Sequence, residues 1–183
     1  MNRPKYSKHF APIGIWALRA GCLLAADWLA REHAVSPPLV FWQPVNNGEQ
    51  HLTQFLRLKA ISEMLGAAEG RGVVSKLIQE ISSDIAIEVA GYRLAPGLAK
   101  GIMRARLQLP DHYPGRISIL EVAHAAREVP SPKISTLLRE WTDAGVNASA
   151  RVVRGTSFWQ TQEIETAPEL IPASLQVLAG IAT

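Results

Sequence analysis

Short apolar, β-branched runs alternate along this chain with segments of helical periodicity, and that order of elements leaves few architectures open. The first run, 13–18, ends abruptly in Arg19-Ala20-Gly21, and residues 22–31 continue with one apolar face, the pattern of strand, tight turn and helix. Pro37 and Pro38 break the chain before 39–42, a wholly apolar second strand, and Pro44 with Asn46-Asn47-Gly48 closes it into a loop. Leu52, Phe55, Leu56, Leu58, Ile61, Met64 and Leu65 then recur at helical spacing up to Gly66. A second helix is expected over 73–81, a short strand or hairpin arm over 85–92, and a helix opened by Pro96 that runs to about 107.

The stretch 45–112 therefore reads as a helical, cap-like insertion. After it Gly115 introduces a strand over 116–123, an amphipathic helix covers 135–144 up to Gly145, and 148–153 supplies one more strand. Residues 155–162 form a loop, and 167–179, with Pro168 in its first turn, reads as the closing helix. Strands separated by helices in this way favour a parallel sheet covered on both faces, so the fold class is α/β. Open parallel sheets place ligands at the carboxyl ends of their strands, which directs attention to the loops that start at Leu18, Gln43, Glu121 and Gly155.

With 183 residues, 48% apolar and 19% charged, the chain can bury one core, and 1–183 is read as a single domain. Lys and Arg total 19 against 16 Asp and Glu, and apart from Arg3, Lys5 and Lys8 the basic residues are dispersed, which argues against a nucleic-acid partner. The single cysteine, Cys22, excludes an internal disulfide or a CxxC site and fits a reducing, cytoplasmic setting. A basic start followed by an apolar stretch and Ala20-Gly21-Cys22 has the outline of a lipoprotein signal, but Arg19 and Asp27 interrupt the apolar run. No segment reaches the ~18 apolar residues of a membrane span. His9, His33, His51, His112 and His124 include no pair at helical metal-site spacing, so neither a metal nor another cofactor is expected.

Several longer runs carry a family resemblance: Gly14-Ile15-Trp16-Ala17-Leu18-Arg19-Ala20-Gly21, Phe41-Trp42-Gln43-Pro44-Val45, Gln50-His51-Leu52-Thr53-Gln54-Phe55-Leu56-Arg57, Glu88-Val89-Ala90-Gly91-Tyr92 and Phe158-Trp159-Gln160-Thr161-Gln162-Glu163. On these the chain resembles the second type of hydrolase associated with exosortase A systems in exopolysaccharide-producing bacteria, an α/β-hydrolase-like group. The resemblance covers nearly the whole chain. It implies a partial α/β-hydrolase-like parallel sheet with flanking helices, in which about a hundred residues that normally precede Met1, among them the loop giving half the oxyanion hole, are absent. It also implies a hydrolytic activity on an acyl ester or thioester.

An active member of that superfamily carries Gly-x-Ser-x-Gly at the strand-to-helix turn, where small residues let a strained turn project the serine above the sheet. Here the turn is Ala17-Leu18-Arg19-Ala20-Gly21, and Arg19, which stays protonated, cannot attack an acyl carbon. Two readings of Arg19 stay open: a clamp for an acyl or other anionic ligand, or a structural partner of a neighbouring glutamate. Glu121 stands where the triad acid would follow the strand over 116–123, and it could equally be the ion-pair partner of Arg19. The triad histidine belongs in the loop after Val153, which contains none, so the usual general base is missing. Trp16, Trp42, Phe158 and Trp159 fall on or after strands and either fill the core or line a cleft closed by the insertion. Gln43, Gln160 and Gln162, at strand ends beside those aromatics, are the candidate polar pocket residues together with Trp42 and Trp159, because buried amides need partners. Without further strands the 13–18 run would be a sheet edge, and self-association or a protein partner through that edge is expected.

Overall fold

The computed structural model describes residues 14–32, 35–64, 72–125, 127–161 and 163–180. Its elements in order are β1 (Ile15–Leu18), α1 (Gly21–Arg31), β2 (Leu39–Trp42), α2 (Gly48–Met64), α3 (Val73–Ser82), β3 (Ile87–Val89), β4 (Tyr92–Leu94), α4 (Pro96–Arg104), β5 (Ile117–Ala123), α5 (Pro132–Asp143), β6 (Ala148–Arg154) and α6 (Leu170–Ala179). They divide into two compact units, Val45–Gln108 and the remainder.

The larger unit is an α/β layer structure with a four-stranded sheet in the order β1-β2-β5-β6, every neighbouring pair parallel. The two central strands explain their own composition. Leu39, Val40 and Phe41 of β2 and Ile117, Ile119 and Leu120 of β5 are all buried, so neither strand shows the polar alternation of a half-exposed one. Alternation of side chains along each strand sends Trp42, Leu120 and Val122 to one face, where they meet Leu170 and Ala173 of α6, and Phe41, Ile119 and Glu121 to the other. β1 is outermost among the described strands, and Trp16 on it is 46% exposed.

The helices of this unit follow their apolar spacing. α1 buries Cys22, Leu23, Ala25, Ala26 and Leu29, a stripe at three- and four-residue intervals, and α5 buries Ile134, Leu137 and Trp141. Two starts differ from the sequence reading. α5 begins at Pro132 rather than 135, because proline suits the first helical position, where its missing N–H costs nothing. α6 begins at Leu170 rather than 167; Pro172, not Pro168, lies in its first turn.

The Val45–Gln108 unit has its own core of Leu52, Leu56, Leu77, Ile81, Ile87, Val89, Leu94 and Ala99. Asn47 caps α2, its side-chain oxygen accepting from the Gln50 N–H at 3.1 Å, so the helix starts inside what the sequence reads as a loop. The segment read as one strand or hairpin arm over 85–92 is a complete antiparallel hairpin, β3 with β4. Ala90 (φ 50°) and Gly91 (φ 81°) are both left-handed, the geometry of a two-residue turn that fits the twist of its strands. Ala-Gly is a weak signal for such a turn, and the second arm went unread for that reason. α4 stops at Arg104, three residues short of the expected end, where Ala105 turns extended.

Among the described residues no helix is long and apolar enough to cross a membrane. No group of three or more His, Cys, Asp or Glu among them could hold a metal ion.

Candidate functional site

Sheet register brings the expected turn residues together. Leu18, Trp42 and Leu120 are aligned across β1, β2 and β5, so Arg19, Gln43 and Glu121 form the next row, at the carboxyl edge of the sheet. Two backbone bonds extend the ladder into that row: Arg19 N–H donates to the Trp42 carbonyl at 3.0 Å and Gln43 N–H to that of Leu120 at 2.9 Å. The chain then turns sharply. Arg19 takes φ 53°, in the left-handed region, and the Cys22 and Leu23 N–H groups already bond the carbonyls of Arg19 and Ala20 at 3.1 and 3.0 Å.

Small neighbours permit this elbow. A Cβ placed on Gly21 would lie 3.7 Å from that of Ala17, so the two sides of the turn are in van der Waals contact. A left-handed conformation costs a residue with a Cβ roughly 1–2 kcal/mol, part of which glycine gives back as chain entropy. Arg19→Gly is therefore expected to be more stable than Arg19→Ala by about 0.5–1 kcal/mol in chemical denaturation, since both lose the guanidinium and only one relieves the turn. Equal stabilities would remove strain from this position.

The Arg19 guanidinium carbon lies 5.5 Å from the ring centroid of Trp159, over its face. Trp159 continues an edge-to-face series: Trp159 with Phe158 at 4.9 Å, Phe158 with Trp42 at 6.4 Å, and Trp42 with Trp16 at 4.7 Å. Trp42 is fixed from its polar end, its indole N–H donating to the Ser174 hydroxyl at 2.9 Å while that hydroxyl donates to the Leu170 carbonyl at 2.8 Å. The indole N–H of Trp159 is buried and has no acceptor among the described residues. Partial burial lowers the pKa of Arg19, with the Cys22 side chain acting in the opposite sense. Lys133, near the start of α5, has its pKa lowered first by desolvation and then by the charge of Arg19.

Glu121 is not the partner of Arg19. Its side chain is buried on the face opposite Leu120 and Val122, where Oε1 meets Arg127 Nη2 at 2.7 Å and Oε2 accepts the Ser131 N–H at 2.8 Å. The carboxylate thus ties the segment after β5 to the residue that precedes α5. Gln43 is also employed inward: its side-chain oxygen accepts the Val122 N–H at 2.8 Å, which gives that oxygen a partner in the neighbouring strand. Gln160 is exposed, and Gln162 lies outside the described residues. Cys22 is buried and donates to the Ala17 carbonyl at 3.5 Å; burial pushes its thiol up to about 12, so it is a packing residue and no substitute nucleophile. Lys133, Arg127, Ser131 and Ser174 were not picked out from the sequence. Only Ser131-Pro132 carried a local signal, that of a helix start.

No protein-family model matches the chain. No curated protein matches it. Among solved structures, a protein of Mycobacterium tuberculosis H37Rv assigned as a non-heme bromoperoxidase is similar at 17% identity and a TM-score of 0.48, over 93% of this chain and 68% of that one. A second Mycobacterium tuberculosis structure is similar at 16% identity and a TM-score of 0.49, over 93% and 66%. An α/β hydrolase of Sphaerobacter thermophilus is similar at 11% identity and a TM-score of 0.41, over 92% and 68%. At these identities no activity carries across.

Proposed function

We propose that this chain is an α/β-hydrolase-like protein of the exosortase- and exopolysaccharide-associated group whose elbow site binds an acyl or other anionic ligand instead of cleaving an ester. The observation that carries the reading is the Arg19 guanidinium, held at a left-handed turn over Trp159 without a carboxylate partner among the described residues. A cation stripped of part of its water and given no counter-charge is costly to keep, and a bound anion removes that cost. The aromatic series beside it offers an apolar body the surface it needs. Two facts favour binding over hydrolysis: Glu121 already serves Arg127 and Ser131, and the loop after β6 has no histidine for it to orient. The association with exosortase systems rests on the sequence resemblance alone.

Hexanoate is a suitable probe, since it joins a carboxylate to a short acyl chain and the tryptophans report its arrival by fluorescence. Saturable quenching is expected for the native protein and a loss of at least about tenfold in affinity for Arg19→Met, the effect of deleting one charge-assisted contact. p-Nitrophenyl butyrate should not be turned over above the buffer rate. Turnover abolished by Glu121→Ala would restore the enzymatic reading. The alternative, a non-catalytic scaffold held through the β1 edge and the exposed Trp16, is selected when Arg19→Met leaves hexanoate binding unchanged.

A further inference from the structure

Two tryptophans of one aromatic series differ in what their N–H groups do. That of Trp42 is taken up inside the fold by the Ser174 hydroxyl, which itself donates to the Leu170 carbonyl. That of Trp159 is buried and has no acceptor among the described residues, although buried donors of this kind ordinarily have one. The Trp159 ring is held on two sides, edge to face against Phe158 at 4.9 Å and under the Arg19 guanidinium, whose carbon lies 5.5 Å from the ring centroid. Phe158 and Trp159 are the central residues of a tight turn closed by the Gln160 N–H, which donates to the Ser157 carbonyl at 2.8 Å. An enclosed, unpaired donor costs stability, and an acceptor that comes from outside the chain removes the cost.

We infer that the Trp159 indole N–H is the second donor of the anion site, and that Arg19 and Trp159 together hold the carboxylate of an acyl ligand, one oxygen on the guanidinium and the other on the indole. The inference rests on the reading of Arg19 as an anion clamp and adds the residue that orients what Arg19 attracts. Two hydrogen bonds of about 2.9 Å laid end to end cover the 5.5 Å between the guanidinium carbon and the ring, so one carboxylate reaches both donors. The roles divide. Arg19 supplies charge, which any anion answers, and the indole supplies a single N–H of fixed direction, which only an oxygen in the plane of the ring answers. In this structure the donor is closed to water, so the acceptor enters as the Ser157–Gln160 turn shifts and carries both rings with it. The acyl chain behind the carboxylate then has the Phe158 and Trp42 rings beside it.

The indole N–H resonances of the intact protein, which has five tryptophans, test this by nuclear magnetic resonance. Trp159→Phe keeps a ring beneath the guanidinium and removes the N–H, so the resonance missing from that variant is the one of Trp159. On titration with hexanoate this resonance is expected to move downfield, as an N–H does when it gains a charged acceptor. By calorimetry, Trp159→Phe is expected to bind hexanoate at least about tenfold more weakly than the native protein. Combined with Arg19→Met it should cost less than the two single losses multiplied together, because both side chains act on one carboxylate. A Trp159 resonance that stays in place while the native protein binds hexanoate, or an affinity within about twofold of native in Trp159→Phe, would overturn the second donor and leave the Arg19 clamp standing. Hexanoate binding indifferent to Arg19→Met would overturn the clamp on which it rests.

Discussion

Gly48→Ala is expected to destabilise the Val45–Gln108 unit by about 3 kcal/mol or more, the upper range for forcing extra atoms into a packed interior. A Cβ at Gly48 would lie 1.8 Å from the carbonyl oxygen of Ile102, 2.9 Å from its carbonyl carbon and 3.1 Å from the carbonyl oxygen of Ala105. All three are backbone atoms, so no side-chain rotation relieves the overlap. The start of α2 is pinned there from both sides: the Gly48 N–H donates to the Ala105 carbonyl at 3.0 Å, the Leu107 N–H donates to that of Asn46 at 3.0 Å, and Asn47 pairs with Arg106 in a short antiparallel bridge. To admit one methyl group the helix must withdraw from the end of α4, which breaks these bonds and loosens the packing of Ile102 and Met103 against the core that includes Leu52 and Leu56. Guanidinium denaturation with hydrogen exchange over 45–108 would measure the loss. A change below about 0.5 kcal/mol, the range of an ordinary surface substitution, would mean that the close approach does not exist.

The second large effect is expected at Arg127. In Arg127→Ala the Glu121 carboxylate stays buried with only the Ser131 N–H to stabilise it, and an uncompensated buried charge costs about 3–5 kcal/mol when the pair is fully enclosed. Arg127 is 37% exposed on its side chain, so water replaces part of what is lost, and about 2–3 kcal/mol is the expected figure. The neutral double replacement Glu121→Gln with Arg127→Met should recover most of that loss, because the amide retains an oxygen for the Ser131 N–H and no charge remains inside. Additive single-variant losses in that cycle would show that the two side chains do not act as a pair. The outcome also bears on function: a Glu121 committed to holding the start of α5 is a structural residue, and any ester hydrolysis would need another acid.

Much of the layered unit could be read without coordinates, for a simple reason. Leu39–Trp42 is wholly apolar, and Ile117–Ala123 is apolar apart from Ser118 and Glu121, a composition that fits strands buried on both faces. The tight turn at Arg19 was legible too, since Ala17, Ala20 and Gly21 are small residues placed where a strand must reverse into a helix. Helix starts were harder to place. Pro132, Leu170 and Asn47 begin or cap their helices by local geometry that competes with hydrophobic spacing, and spacing alone favoured a later residue in one case and earlier or different ones in the others.

The roles of the polar side chains are a different matter, because they depend on which strand lies beside which. Sequence placed Arg19, Gln43 and Glu121 at strand ends; the order β1-β2-β5-β6 set them in one row, and there Glu121 pairs with Arg127 and the Ser131 N–H rather than with Arg19. Gln43, a candidate for the pocket, found its partner in the backbone of Val122 on the neighbouring strand. Trp159 is 140 residues from Arg19 in sequence (159 − 19), and nothing local to either announces that one ring lies under the other's guanidinium. Periodicity and turn chemistry act over a few residues and so determined the strands, the elbow and the α/β class; electrostatic pairing acts across the sheet, and only the tertiary structure decided which charged side chains meet a partner of opposite sign.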